Sequence, residues 1–244
     1  MLKFSTMTNS GGRSCNEDCF KVSSVSNKQC FVVCDGLGGY QHGDVAAKLA
    51  ANTFVDELCF TNNLTMFLET SFNSAQKKIM DIKSREGQSN AMKTTAVCFV
   101  TDGEKGFVGH IGDSRFYAFK KEKNEYIRTL DHSVPQLLVQ SGTIKDSEIR
   151  NHPNRNMLLK VMGERWEEPL YEIHPIFAIN DYDAYLLCSD GFWELISEDE
   201  MINTFKDSLS PDEWLEKMVA IVEENGCQKK MDNYTAIAII NDIK

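Results

Sequence analysis

The chain has no run of about eighteen uninterrupted apolar residues, so it offers no recognisable membrane-spanning helix. Its opening residues, Met1-Leu2-Lys3-Phe4-Ser5-Thr6, lack the apolar stretch of a secretory leader, and the cytoplasm is the expected compartment. Positive charge is scarce: 26 Lys and Arg stand against 36 Asp and Glu, a net charge of -10. That balance repels phosphate backbones and anionic membranes unless a local basic patch offsets it, and the sequence holds no such patch, so neither partner is expected. No C-x-x-C pair occurs among the eight cysteines, which argues against thiol-ligated zinc. Cys30, Cys34, Cys98 and Cys188 sit inside apolar runs, where cysteine packs as a small hydrophobe rather than bridging. No cysteine has arginine six places on, as a thiolate phosphatase loop requires, and neither G-x-S-x-G nor G-x-x-x-x-G-K-[ST] is present. Gly36-x-Gly38-Gly39 follows a strand faintly in the manner of a nucleotide loop but lacks the full glycine spacing. No Pro/Gly/Ser-rich linker, low-complexity tract, internal repeat or coiled-coil heptad appears, so residues 1–244 are expected to form a single domain and a monomer.

What is present is a 42% hydrophobic chain with two kinds of periodicity. Segments rich in Val, Ile, Phe and Tyr and bounded by turn residues predict strands over Asp18–Ser26, Gln29–Asp35, Thr94–Thr101, Lys105–Asp113, Arg115–Lys120, Tyr171–Ile179, Ala184–Asp190 and Tyr234–Asn241. Tight turns at Ser26-Asn27-Lys28 and Asp102-Gly103-Glu104 favour antiparallel hairpins. Three helices are predicted. One is capped by Asp44 and runs to about Cys59, and one carries Leu68, Phe72, Ala75, Ile79 and Ile82 on one face. The third opens at Ser210-Pro211-Asp212-Glu213 with the stripe Trp214, Leu215, Met218, Val219 and Val222, and ends before Gly226. Antiparallel sheet with helices packed over it makes the class α+β.

The aspartates fall at revealing places. Phe31-Val32-Val33-Cys34 ends in Asp35-Gly36, Val108-Gly109-His110-Ile111-Gly112 ends in Asp113, Tyr185-Leu186-Leu187-Cys188-Ser189 ends in Asp190-Gly191, and Asp232-Asn233 opens the last apolar run. If neighbouring strands bring these ends together, each pair repels by roughly 4 kcal/mol at an effective dielectric near 20, and the cluster needs cations. Hard oxygen ligands suit Mg²⁺ or Mn²⁺ rather than zinc. Taken singly, aspartate before glycine is more often a turn than a ligand. The recurrence of the pattern, with Asn16-Glu17-Asp18 nearby, is what raises a carboxylate-lined site as the competing reading.

Arg13-x-x-Asn16-Glu17-Asp18, Asp35-Gly36-Leu37-Gly38-Gly39, Gly112-Asp113-Ser114-Arg115, Ser189-Asp190-Gly191-Phe192-Trp193 and Asp232-Asn233 occur in that order. The set resembles the type 2C, metal-dependent serine/threonine protein phosphatases, particularly the bacterial branch. The resemblance implies a four-layer α-β-β-α sandwich with two central antiparallel sheets. It implies two divalent ions, with a third more weakly held. Asp35 would bridge the pair, Gly36 would lend a backbone carbonyl, and Asp190 and Asp232 would complete the binuclear site. Asp113 would hold the third ion with Asp190, while Glu17 and Asp18 would act through water. Arg13 would grip phosphate with its guanidinium fork; a surface salt bridge is its plainer alternative. The segment from about 132 to 165 falls where the family carries a flap beside the active site, and its plainer reading is a surface insertion.

The implied chemistry is hydrolysis of phosphoserine and phosphothreonine in proteins by a metal-activated water, with a serine/threonine kinase as the opposing partner. Leu37 stands where many eukaryotic relatives carry a histidine proposed as general acid, so that donor is missing. His42 reads as a helix-entry residue, and Thr94, Thr95 and Asn233 as structural. A catalytically inactive, kinase- or phosphoprotein-binding module of the same fold is the competing function. It is disfavoured because every expected ligand aspartate is present.

Overall fold

The computed structural model describes residues 1–37, 42–61, 63–86, 91–228 and 230–242. In chain order the strands are β1 (Lys3–Asn9), β2 (Asp18–Val25), β3 (Lys28–Asp35), β4 (Ala96–Thr101), β5 (Lys105–Ile111), β6 (Arg115–Lys120), β7 (Glu125–Arg128), β8 (Glu172–Ile173), β9 (Phe177–Ala178), β10 (Ala184–Cys188) and β11 (Tyr234–Ile240). The helices are α1 (Gly43–Phe60), α2 (Leu64–Glu86), α3 (Val134–Gln140), α4 (Asp190–Trp193), α5 (Glu198–Lys206) and α6 (Pro211–Gly226). One sheet runs β1-β11-β10-β6-β7 and the other β2-β3-β4-β5-β8, with β9 also on β5. Among the described residues every named pairing is antiparallel.

Both faces of the central strands are covered, which explains why they read as continuous apolar runs rather than alternating ones. In β3, Cys30, Val32 and Cys34 pack under α1 and α2 against Ala47, Phe54, Phe72 and Ile79. Phe31 and Val33 point the other way and meet Phe116, Tyr185, Leu187 and Ile237 of the second sheet. That sheet's outer face, with Phe119, Leu186 and Ala238, packs on Met201 and Phe205 of α5 and Trp214 and Met218 of α6. Three apolar interfaces between two helical layers and two sheets make an α-β-β-α sandwich, as the α+β reading expects.

Several boundaries differ from expectation, each for a physical reason. Asp44 does not cap α1: His42, in the left-handed region, precedes it, and Asp44 sits in the first turn bound to Lys48 at 2.9 Å. The start of α1 is set instead by backbone contact, since a Cβ on Gly36 would lie 2.4 Å from the Gly43 carbonyl. Tyr171–Ile179 is not one strand but the two short pieces β8 and β9, with Pro175, which has no N–H for a ladder, between them. The strands predicted to reach Asp113 and Asp190 stop at Ile111 and Cys188. Gly112 turns the chain at φ +98°, and Ser189 is the N-cap that precedes α4. β1, β7 and α5 lie outside the predicted elements. Helix α6 has the expected Ser210 cap on the Glu213 N–H, but the Glu213 carboxylate accepts from Leu209 N–H instead of closing the box. It runs through Gly226. Gly38 and Gly39 lie outside the described residues.

Candidate metal centre

The ends of the strands are what gather the aspartates, because each carboxylate stands where a strand begins or gives way to a turn or helix. Asp35 is the last residue of β3, Asp113 follows Gly112 after β5, Asp190 opens α4 after β10, and Asp232 lies two residues before β11. Asp18, at the start of β2, stands directly opposite Asp35. One cavity of about 1010 Å³ is lined by Arg13, Glu17, Asp35, Gly36, Asp113, Asp190 and Asp232. Asp18 sits behind that lining, buried.

Main chain and hydroxyls hold the carboxylates in place. Thr95 N–H and Thr94 Oγ1 both donate to Asp35 O, at 2.8 and 2.9 Å, and Asp35 N–H donates back to Thr95 Oγ1 at 3.0 Å. Gly36 N–H donates to Glu17 O at 3.1 Å, tying the β3 end to the β2 entry. Ser189 Oγ donates to Asp18 Oδ2 at 2.7 Å and accepts from Thr235 N–H at 2.9 Å. Asn233 pins the Arg13 loop: its amide donates to Ser10 O and Cys15 O, each at 3.0 Å, and its Oδ1 accepts from Glu17 N–H at 2.8 Å. Trp193 Nε1 donates to Asp113 O at 2.9 Å. Arg13 Nη2 reaches Asp232 Oδ2 at 2.6 Å, and this exposed pair raises the guanidinium pKa chiefly through that hydrogen bond.

Electrostatics mark the cluster as strained by like charge. Burial first, then the charges of Asp18, Asp190 and Asp113, push the Asp35 carboxyl well above the usual range. Asp113 is pushed well above by burial and then Asp190, and Asp190 upward by burial and then Asp232. Asp18 rises to about 7, burial outweighing the bond from Ser189. A hard divalent cation reverses such shifts, since its charge favours every carboxylate's ionised form. The donor set is all oxygen, which suits Mg²⁺ or Mn²⁺. Asp18 Oδ1 is buried and has no hydrogen-bond partner among the described residues, an acceptor that a cation's water shell would satisfy. The residues present therefore fit a divalent ion.

Sequence patterns do not point to some of the cavity's lining or to Glu194, which neighbours Asp190 outside that lining. Glu194, one helical turn after Asp190, is pushed to about 7 by burial and then Asp190, and is bound by Arg155 Nε at 2.9 and 3.0 Å. The i,i+4 spacing from Asp190 was the available signal. Lys93 pairs with Glu164 at the cavity wall, where Asn156, Leu158, Leu159 and Val161 also lie. These wall residues all fall within 132–165, apart from Lys93. Leu37 lines the cavity with an apolar side chain, and its N–H is taken by Lys93 O at 3.0 Å, so the position supplies no spare proton donor.

Comparison with known proteins agrees with the arrangement. A serine/threonine phosphatase, stp, of Listeria monocytogenes is 27% identical over 237 residues, covering 93% of this chain and 91% of the relative. The crystal structure of the serine/threonine phosphatase Stp1 from Staphylococcus aureus superposes with a TM-score of 0.90 at 26% identity, covering 99% of this chain and 96% of that one. The catalytic domain of the phosphatase PstP in complex with two manganese ions shares the fold, with a TM-score of 0.77 at 22% identity over 98% and 97% of the two chains. The family model for protein phosphatase 2C matches residues 8–234. The chain belongs to the protein phosphatase 2C family of serine/threonine phosphatases.

Proposed function

We propose that the acidic cavity is the active centre of a divalent-metal-dependent enzyme that hydrolyses phosphoserine and phosphothreonine in other proteins. The observation that carries the reading is the convergence of Asp35, Asp113, Asp190 and Asp232, from four separate segments of the chain, on one cavity with Arg13 at its wall. Asp35, Asp190, Asp232 and the Gly36 carbonyl would hold a pair of ions, Mn²⁺ or Mg²⁺, and Asp113 with Asp190 a third. Glu17 and Asp18 would orient coordinated waters. A relative's structure with two manganese ions supports that choice of metal. When bound, the ions supply Lewis-acid stabilisation of the phosphoryl oxygens and make hydroxide available near neutral pH.

The chain's own residues do the rest. Asp232 engages only Nη2 of Arg13, leaving donors of the fork for two phosphate oxygens. Asn233 fixes the loop that carries Arg13, so the fork is positioned before substrate arrives. Leu37 gives no proton to the departing serine or threonine oxygen, which must take it from another group or from water. Residues 1–244 act as a single catalytic domain, with 132–165 as a flap beside the cavity. The enzyme works as a cytoplasmic monomer on phosphorylated proteins, among them a serine/threonine kinase that it opposes. Among the described residues no helix is long and apolar enough to cross a membrane.

Phosphate release from a phosphothreonine peptide tests the reading. Release with Mn²⁺ or Mg²⁺, abolished by a chelator and reduced more than about 100-fold in Asp35→Asn and Asp190→Asn, is the expected result. Release that survives chelation, or variants as active as the parent, would contradict it.

A further inference from the structure

Beside the acidic cavity, three of the five histidines stack. The His110 ring lies 4.5 Å from that of His132 and 5.0 Å from that of His174, at interplanar angles of 18° and 25°. Hydrogen bonds fix their protons in turn. A carbonyl only accepts, so His110 Nε2 donates to Leu130 O at 2.8 Å, and its bare Nδ1 accepts from His174 Nε2 at 3.0 Å. Gly112 N–H donates to His132 Nδ1 at 3.2 Å, which places the His132 proton on Nε2. That nitrogen is buried without a hydrogen-bond partner among the described residues and lies 3.6 Å from Glu172 Oε2.

His110, His132 and Glu172 bring atoms of ligand type within 4.8 Å of one another, which invites a second cation site. The geometry speaks against one. Imidazole lone pairs lie in the ring plane, so two nearly parallel rings cannot aim both at one ion, and His132 Nε2 has its proton rather than a lone pair. The same bonds point elsewhere. His132 N–H donates to Gly112 O at 2.9 Å while its ring takes Gly112 N–H, so one residue holds both sides of Gly112. Its carbonyl accepts from Leu159 N–H at 2.8 Å, and Leu159 lines the cavity wall. Gly112 has φ +98°, and a Cβ there would lie 2.5 Å from the Thr95 side chain, so the turn needs glycine and is held by the groups that bond to its backbone.

We propose that His132 is a positioning residue: it clamps Gly112, and through it the adjacent Asp113 carboxylate, while anchoring the Leu159 wall of the same cavity. The inference rests on the acidic cavity being the active centre, but its first test does not need metal. Asparagine puts an acceptor where His132 has Nδ1; leucine removes it. In chelator-treated protein, amide exchange at Gly112 is expected to quicken at least about tenfold in His132→Leu and to return close to the parent rate in His132→Asn. In Mn²⁺ titrations the weakest ion should bind about 10- to 100-fold less tightly in His132→Leu, with His132→Asn restoring it. Unchanged Gly112 exchange in His132→Leu, or an asparagine variant as impaired as leucine, would overturn the clamp. If His132→Leu does not fold, the ¹⁵N shifts of the parent's His132 decide: an unprotonated Nδ1 is expected, and a protonated Nδ1 would overturn it. A parent that binds no Mn²⁺ but shows the exchange pattern would overturn the metal reading of the cavity and leave the clamp standing.

Discussion

Asp18, Asp35, Asp113 and Asp190 all titrate upward from the ordinary carboxylate range because burial and one another's charge oppose ionisation. Raised folded-state values give a definite pH dependence. The stability they contribute is fully present below the unfolded value of about 3.9 and is lost as pH rises through the folded values, about 7 for Asp18. Metal-free protein should therefore lose on the order of 1 to 3 kcal/mol between about pH 6.5 and 8, seen as a Tm falling by several degrees. His110 and His132, held down to about 3 and about 4 by burial first, add stability as pH rises until the unfolded histidine value near 6.5 is passed, so they oppose the fall only at the lower end of this interval. Saturating Mn²⁺ should flatten the trend; a metal-free Tm that rises over the same interval would contradict it. Arg13 makes a separate prediction. Arg13→Ala should lower kcat/KM about 10- to 100-fold, and Arg13→Lys should recover only part, because an ammonium cannot present the planar fork. Equal activity of lysine and arginine enzymes in steady-state kinetics would remove the fork from the account.

The elements show which parts of the molecule a sequence displays and which it hides. Strands β3, β4, β10 and β11 are legible because burial on both faces leaves predominantly apolar runs. Edge strands β1 and β7 are not: Ser5, Thr6 and Thr8, or Glu125 and Arg128, break the apolar pattern where one side faces solvent. Helix α5 has a sequence signal of its own, the reciprocal capping box of Ser197 and Glu200 ahead of Met201, Ile202 and Phe205, but at nine residues its apolar stripe is short. The four aspartates were legible from their places at the ends of apolar runs and from the ordered motifs. Glu194 and His132 were not, since their significance comes from Arg155 and Gly112, distant in sequence and brought near only by folding. The Gly36–Gly43 contact belongs to the same class. Gly43→Ala would put a Cβ 2.9 Å from the Gly36 backbone, and a loss of about 1–3 kcal/mol in urea unfolding, together with activity, is expected. Ser210→Ala, at the far α6 cap, should cost about 1 kcal/mol and leave turnover unchanged. An α6 cap variant that impairs catalysis as Gly43→Ala does would show that the activity loss reports general destabilisation.

At the scale of the whole molecule, two sheets and two helical layers bury their apolar faces in three interfaces, and that leaves the turns at one edge free to carry charge. The sandwich fixes those turns closely enough to hold together carboxylates that repel, an arrangement that is unfavourable for an empty protein and favourable for one that takes up cations. The acidic surface, with its net charge of -10, adds a long-range attraction for such ions that added salt screens. The most direct test is calorimetric titration of chelator-treated protein with Mn²⁺, beside Asp35→Asn. The account predicts at least two ions per chain for the parent, and loss of the tightly bound pair in the variant. A parent that takes up one ion or none, or an Asp35→Asn protein that binds Mn²⁺ as the parent does, would contradict it.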